Sequence, residues 1–568
     1  MESSSISSLP NELLLQVFRE TLTLFWPYWD QEDRDHPWYK TPYIRIVTIT
    51  HVCHRWRVVA LHSPDLWTAI DVNQSMECFD SFLERSKPRL LTFRTYPLNL
   101  QKPDPADVER LFLKISRYRS LTIGGSDTLF HKQLFIDTYP WDRCAQVIES
   151  MEYDSYYFGL PLLFRYELSA LKSLTWIDWR ERSLMELNCP RLTRLVFRND
   201  ELTIFWTEWL EFLRSTPLLQ FLELYHAVAP GPPGPLADSM VHLPYLSSLK
   251  LRGHPDTEKE LFGQGELCLF NHLEFPSNAA IEFDVWHSES CAQVLKAIET
   301  RLTHPSLSNR YASTAPDVIA IEYHDHELEI TVWDTMPMPL AMCWQWQKTQ
   351  SNLPLASLRL HCVAPSASIL RPYGRVVQFL NKVYPLHMVE TLVFNAMPGS
   401  KPEAAQVINA FTDISQKAVN VQTLYLGGHN VSTLLKFVLS RTKAPRADDE
   451  QLPQDAAQES AHPFSSLKTV SLQQIPTTPY LTQPLTIPTI DQIAKVIHEW
   501  EACTDRRINV VHICAKTGSN PPDKPDKCGG SCFKTTDSLH PKLLPLLGSD
   551  SHALMDICLR SEKAHESC

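Results

Sequence analysis

Groups able to do chemistry are sparse along these 568 residues. His324 and His326 stand one residue apart, where two imidazoles can share a metal ion, and Cys528, Cys532 and His540 would give three ligands of the kind zinc favours. Neither set has the paired C-x-x-C spacing that fixes a tetrahedral site, and exposed histidines are common at a hairpin tip. His498-Glu499 lacks the second histidine of H-E-x-x-H. G-x-S-x-G, G-x-x-x-x-G-K-[ST] and G-x-G-x-x-G do not occur. The expectation is a protein without catalytic residues, resident cofactor or metal.

Composition narrows the classes further. Hydrophobic residues make up 43% and charged residues 21%, so most of the chain should fold. Acidic side chains outnumber basic ones, 65 to 53, for a net charge of -12, which gives no electrostatic support for a nucleic-acid partner. Proline is abundant at 42 and glycine scarce at 16, a balance that favours turns and strand ends over glycine-rich phosphate loops. The 14 cysteines show no dense spacing and are expected as reduced thiols. Met1-Glu2-Ser3-Ser4-Ser5 has no basic n-region, and no run of eighteen or more apolar residues occurs. The expected setting is intracellular, in cytoplasm, nucleus or both, with no membrane partner.

The elements that would position functional residues begin at the N-terminus. Leu9-Pro10-Asn11-Glu12 opens a short helix with Leu13, Leu14, Val17 and Phe18 on one face. A second helix is expected over residues 45–61, with Ile49, Val52, Cys53, Trp56 and Ala60 recurring at helical steps, stopped by Ser63-Pro64. Between them, residues 21–43 carry an aromatic and acidic insertion. Two such helices with the Leu66-Trp67 tail hide too little apolar surface to stand alone.

After Trp67 a beat of apolar pairs begins at Leu91 with Phe93 and at Leu121 with Ile123. It sharpens at Leu171, Leu192, Leu219, Leu246 and Phe270, in steps of 21, 27, 27 and 24 residues. Residues 192–202 match L-x-x-L-x-L-x-x-N-x-L with Phe197 and Asp200 as substitutes, the signature of a leucine-rich repeat. Each unit should give one strand and a return, such as a helix with Trp206, Trp209, Leu210 and Leu213 on one face. Pro230-Gly231-Pro232-Pro233-Gly234-Pro235 should be a surface loop.

Residues 281–346 interrupt the beat. A helix is expected with Val294, Leu295, Ile298 and Leu302 inward, then a β-hairpin in which Ile319, Ile321 and Tyr323 face Leu328, Ile330 and Val332 across residues 324–327. The beat returns at Leu355, Val389, Val421 and Leu467, with a helix around residues 375–380 and an acidic loop at 446–462. A helix at 490–500 and a final strand near Ile508 to Ile513 precede a flexible tail. The fold class is therefore an α/β repeat: a helical module over 1–70, an irregular leucine-rich-repeat solenoid of parallel strands over 71–514, clearest at 171–280, and a tail over 515–568.

Leu9-Pro10 with Glu12-Leu13, then Val52-Cys53 with Arg55-Trp56-Arg57, then Ser63-Pro64 and Leu66-Trp67, resemble an F-box in order and residue type. With the repeats behind it, the chain resembles the F-box and leucine-rich-repeat class, of the divergent kind abundant in fungi. The resemblance implies a substrate receptor of an SCF-type E3 ubiquitin ligase, which docks a Skp-type adaptor, through it a cullin, and holds a protein substrate on the repeats. It assigns Leu9, Pro10, Leu13, Val17 and Phe18 to an adaptor-facing or bundle-forming surface, Val52, Cys53 and Trp56 to the second helix of that unit, and Leu66 and Trp67 to its end. Three alternatives stay open: a two-helix cap on the repeat array, a leucine-rich-repeat scaffold that serves no ligase, and a metal-dependent or thiol enzyme in the C-terminal region. The substrate face would be the outward strand residues Thr193, Arg194, Val196 and Arg198, Gln220, Glu223 and Tyr225, and Ser247, Lys250 and Arg252.

Overall fold

A computed structural model describes residues 9–23, 42–71, 76–95, 104–124, 133, 136, 138–154, 162–177, 184, 187–199, 204–231, 240–253, 264–276, 278–285, 288–302, 316–324, 327–333, 358–363, 370–397, 411, 413–427, 466–474, 510–515 and 554–559. The fold is mixed α/β, with mostly parallel strands. The chain forms two compact units, residues 1–256 with 264–276, and residues 257–263 with 277–568.

The first unit opens with α1 (Asn11–Thr23), α2 (Pro42–Val52), α3 (His54–Leu61) and a 3-10 turn at Pro64–Trp67. Strand β1 (Ala69–Asp71) follows at once, so the expected boundary near residue 70 falls inside a strand. Next come α4 (Met76–Arg85), β2 (Leu91–Thr95), α5 (Pro105–Phe112), β3 (Tyr118–Ile123), α6 (Trp141–Val147), β4 (Ser150–Asp154), β5 (Ser173–Ile177), β6 (Arg194–Arg198), α7 (Trp206–Arg214), β7 (Phe221–Tyr225), β8 (Val241–His242) and β9 (Ser248–Arg252). From β1 to β7 each strand pairs in parallel with the next, and β7 pairs with β9.

Register lines up two rows of inward side chains. One runs Ile70, Phe93, Leu121, Met151, Leu174, Leu195, Leu222 and Leu249; the other Ile123, Tyr153, Trp176, Phe197, Leu224 and Leu251. All are buried. Alternation along a strand sends every second residue inward, so the L-x-L beat is the visible edge of these rows. Strand β4 escaped sequence reading because its inward pair is Met151 and Tyr153. Asp200, placed at the asparagine position, lies outside the described residues.

The returns bury helical faces against the strands. Asp104 caps α5 by accepting from the Ala106 N–H at 2.9 Å, and Pro105 sits at its first position. On α7 the expected face of Trp206, Trp209, Leu210 and Leu213 is buried, together with Phe212. The Trp209 indole donates to the Ala227 carbonyl at 2.9 Å and meets Phe197 edge-on, with ring centroids 5.0 Å apart.

The fifth expected repeat, at Phe270, Leu273 and Phe275, is a correction. Phe270 belongs to helix α8 (Gln264–Asn271), and the short β10 (Leu273–Glu274) pairs with β8. Phe270 and Leu273 are both buried, but a helical residue and a strand residue happen to reproduce the L-x-x-L spacing.

The second unit contains β11 (Ala280–Val285), α9 (Ser288–Leu302), β12 (Val318–His324), β13 (Glu327–Trp333), β14 (Leu358–Val363), α10 (Leu370–Val383), β15 (Thr391–Met397), β16 (Thr423–Gly427), β17 (Thr469–Gln474), β18 (Val510–Ala515) and β19 (Leu554–Leu559). The expected hairpin forms, and its two apolar sets face each other, with Ile319 opposite Val332, Ile321 opposite Ile330 and Tyr323 opposite Leu328. It is built into the sheet. β14 pairs in parallel with β11 and antiparallel with β13, while β12 pairs in parallel with β15, giving the order β11-β14-β13-β12-β15 and then β16 to β19. Val318, Ala320, Trp333 and Val393 on the opposite face are also buried, with Tyr425 packed against them. Burial on both faces explains the continuous apolar runs Val318-Ile319-Ala320-Ile321 and Leu392-Val393-Phe394.

Helix α9 turns Cys291, Val294, Leu295 and Ile298 inward, the side chain of Leu302 lies outside the described residues, and α10 buries Val376 and Leu380. The tail expected from residue 515 contains a further strand, since β19 pairs in parallel with β18. The loop at 446–462, the helix at 490–500 and most of the proline-glycine stretch lie outside the described residues. Among the described residues, no helix is long and apolar enough to cross a membrane.

Beside the hairpin, Arg359 on β14 donates to Glu329 at 2.8 Å and lies 3.8 Å from Glu282. Burial works against its charge, but the carboxylates of Glu329, Glu282 and Asp284 hold the guanidinium above its usual value. Two substitutions test this description. Trp209→Ala should lower stability by about 3–5 kcal/mol, read as a shift in the urea unfolding midpoint. Arg359→Ala strands two shielded carboxylates and should cost up to about 3 kcal/mol by the same measurement, whereas Arg359→Lys should cost less.

Candidate functional site

The N-terminal helices combine packed interiors with exposed apolar stripes. Pro10 precedes α1, and its carbonyl accepts the first helical hydrogen bond from the Leu14 N–H at 3.0 Å. Leu14 and Phe18, four residues apart, are buried, while Leu13 and Val17 are 48% and 40% exposed. The single apolar face expected for α1 is thus two stripes: adjacent residues differ by about 100° around a helix, so only one stripe turns fully inward.

The expected second helix is two. α2 ends at Val52, Cys53 is extended at φ -159 and ψ 169, and α3 begins at His54. Cys53 Sγ accepts from the Trp56 N–H at 3.5 Å and caps the new helix, while Arg57 donates to the Thr50 carbonyl at 2.8 Å at the end of the old one. The break explains why Val52 is 56% exposed and Cys53 lies in solvent. Ile49 and Ala60 remain buried.

Arg55 joins the two ends of the module. Its guanidinium donates to the Leu9 carbonyl, and to Asn11 Oδ1 at 2.8 and 3.1 Å. Leu9 is half-buried and Pro10 exposed beside this clamp. Trp56, half-buried, meets Phe18 edge-on with centroids 5.0 Å apart and links α3 to α1.

Leu66 and Trp67 turn away from solvent. Trp67 donates to the Ala60 carbonyl at 2.8 Å, meets Phe82 of α4 at 4.9 Å, and lies under the Arg85 guanidinium at 4.4 Å. Asp65 holds Arg19 and Arg89, each at 2.8 Å. These pairs are exposed and contribute little individually, but they tie α1 and the approach to β2 to one carboxylate. Of the residues assigned by resemblance, Pro10, Leu13, Val17, Val52 and Cys53 are thus presented to solvent, and Leu9 and Trp56 partly so. Phe18, Leu66 and Trp67 form the interior that supports them. Sequence reasoning gave no role to Val58, 39% exposed on α3, nor to the clamp made by Arg55. An arginine at the second position of a helix carries no distinctive signal of such a clamp.

The second candidate surface is the outward side of β6, β7 and β9. Arg194 and Arg198 are exposed, and Tyr225, Lys250 and Arg252 half-buried. Thr193 and Ser247 spend their hydroxyls on the carbonyls of Lys172 and Gln220, each at 2.9 Å, and so tie neighbouring strand approaches together. Val196 and Glu223 depart from expectation at 2% and 5% exposed. Long neighbours fold over that middle row: Arg198 reaches Glu223 at 3.3 Å.

Among the described residues no group of three or more His, Cys, Asp or Glu could hold a metal. His326, His498, Cys528, Cys532 and His540 lie outside the described residues. Burial pushes the thiols of Cys144 and Cys189 up to about 12, which keeps them protonated and unreactive at neutral pH.

No protein-family model matches the sequence, and no curated protein is significantly similar to it.

The Arg55 clamp yields a direct prediction. Arg55→Ala should speed amide exchange at Leu13 and Leu14 in the first turn of α1, measured by hydrogen–deuterium exchange, and leave the Trp67 environment unchanged. Unchanged exchange would mean that α1 needs no such tether.

Proposed function

We propose that the chain is an F-box-type substrate receptor: residues 9–67 dock a Skp-type adaptor and, through it, a cullin, and a leucine-rich-repeat solenoid presents a protein substrate for ubiquitin transfer. One observation carries this reading. Leu13 and Val17 form an exposed apolar stripe on a helix whose neighbouring stripe is packed, and Val52 is exposed at the helix break, in segments whose residue order resembles an F-box. Solvent-facing apolar groups on an otherwise packed module are what a partner surface requires. The parallel strands with register-aligned inward rows support the repeat reading.

A cap on the repeat array is the second reading, favoured by Trp67 and its contacts with Phe82 and Arg85. The two readings divide the same module. A cap accounts for Leu66 and Trp67 but gives no reason to expose Leu13, Val17 and Val52.

The test is capture of purified Skp-type adaptor and cullin by the full chain, beside the double variant Leu13→Ala/Val17→Ala. Exposed positions change stability little, so the variant should melt like wild type while adaptor affinity falls about tenfold or more. No capture by wild type, or equal capture by both, refutes the proposal. Adaptor capture without cullin, and without ubiquitin transfer to bound proteins, would identify a scaffold that serves no ligase.

A further inference from the structure

Two rows of polar side chains cross β11, β14 and β13 on the side away from Leu358 and Leu360. Register fixes their membership: Glu282, Arg359 and Thr331 in one, Asp284, His361 and Glu329 in the next. The first row is centred on a permanent cation. The second is centred on an imidazole, which carries charge only when protonated. His361 Nδ1 lies 3.4 Å from Asp284 Oδ1, and the two side chains are 24% and 16% exposed, so salt screens them less than it does a surface pair. Glu329, opposite His361 on its other side, is 8% exposed and accepts from Arg359 at 2.8 Å.

The charged groups around His361 pull in opposite directions. Asp284 and Glu282 on β11 and Glu329 on β13 favour the imidazolium. Partial burial opposes it, and so does Arg359, two residues away along β14 and therefore roughly 7 Å off. Helix α9 packs against β14 from the other side, its inward residues being Cys291, Val294, Leu295 and Ile298. Coulomb energy falls with distance, so Asp284, the carboxylate in contact, sets the sign. We propose that His361 is a pH-sensitive fastener of the reversed strand: protonated, it joins β14 to Asp284 of β11 and faces Glu329 of β13, and loss of the proton loosens β13 in the sheet. Folding then takes up a proton. Its contribution is complete below the unfolded imidazole's value of about 6.5 and is lost as pH rises through the folded chain's higher one. The device belongs to the sheet of the second unit and does not depend on the receptor reading.

Hydrogen–deuterium exchange of the full chain between pH 5.5 and 8, corrected for the intrinsic pH dependence of amide exchange, reads the opening of β13 directly. Wild-type protection over residues 328–332 should fall about tenfold across that range, the factor that accompanies a one-unit difference in proton affinity, while β6 and β7 of the first unit hold theirs. His361→Gln should remove the dependence. His361→Lys, with a fixed cation in the same row, should keep protection high at both ends. Asp284→Asn should at least halve the wild-type dependence, and it reads the same contact where the glutamine variant fails to fold. A flat wild-type profile, or a slope that survives in His361→Gln or in Asp284→Asn, overturns the proposal.

Discussion

Strand register is the constraint on which the first unit depends. Side chains alternate at every residue, so a slip by one position would turn a row such as Leu174, Leu195, Leu222 and Leu249 from core to solvent. Each fully buried leucine contributes about 1.5–3 kcal/mol relative to exposure, and the penalty for a slip would repeat along every strand that followed it. The same register decides what stands outward. Arg198, Tyr225 and Arg252 are brought side by side because Phe197, Leu224 and Leu251 must be brought together behind them.

The N-terminal module draws on that core. Three short helices and a 3-10 turn cannot enclose much apolar surface, and the shortage is met where Trp67 enters between Ala60, Phe82 and Arg85. Anchoring at that end leaves the stripe of Leu13 and Val17 without an internal role. The Cys53 break separates Val52 from Trp56: Val52 is the last residue of α2, in solvent, while Ile49 one turn earlier is buried and Trp56 belongs to the next helix.

The second unit shows how a reversed strand can join a parallel array. Strand β13 runs against both neighbours, yet Leu328, Ile330 and Val332 keep the inward alternation that Leu358, Leu360, Ile319 and Ile321 set on either side. Its outward positions bring Glu329 beside Arg359, and that charged contact sits next to the apolar group of Val318, Ala320, Trp333 and Val393. Shielded charges beside a dry patch specify pairing strongly, because a misregistered strand would leave them uncompensated.

Much of this was written locally. The leucine beat marked β5, β6, β7 and β9, alternation marked the hairpin and the two apolar sets that face each other in it, and helical spacing gave the buried face of α7, because each pattern repeats within a few residues. Non-leucine rows hid β4, a mixed helix and strand imitated a repeat at Phe270, and β19 lay within a stretch whose neighbouring composition signalled a tail. At the N-terminus, the sequence by itself determined that α1 has apolar residues at 13, 14, 17 and 18 and that apolar positions recur through Ala60. Only tertiary structure decided that Leu14 and Phe18 go inward while Leu13 and Val17 stay out, and that the second helix breaks at Cys53. Both stripes on α1 have the same four-residue spacing and similar hydrophobicity, so the choice belongs to what packs against the helix: here Trp56, held in place by the break that Cys53 caps.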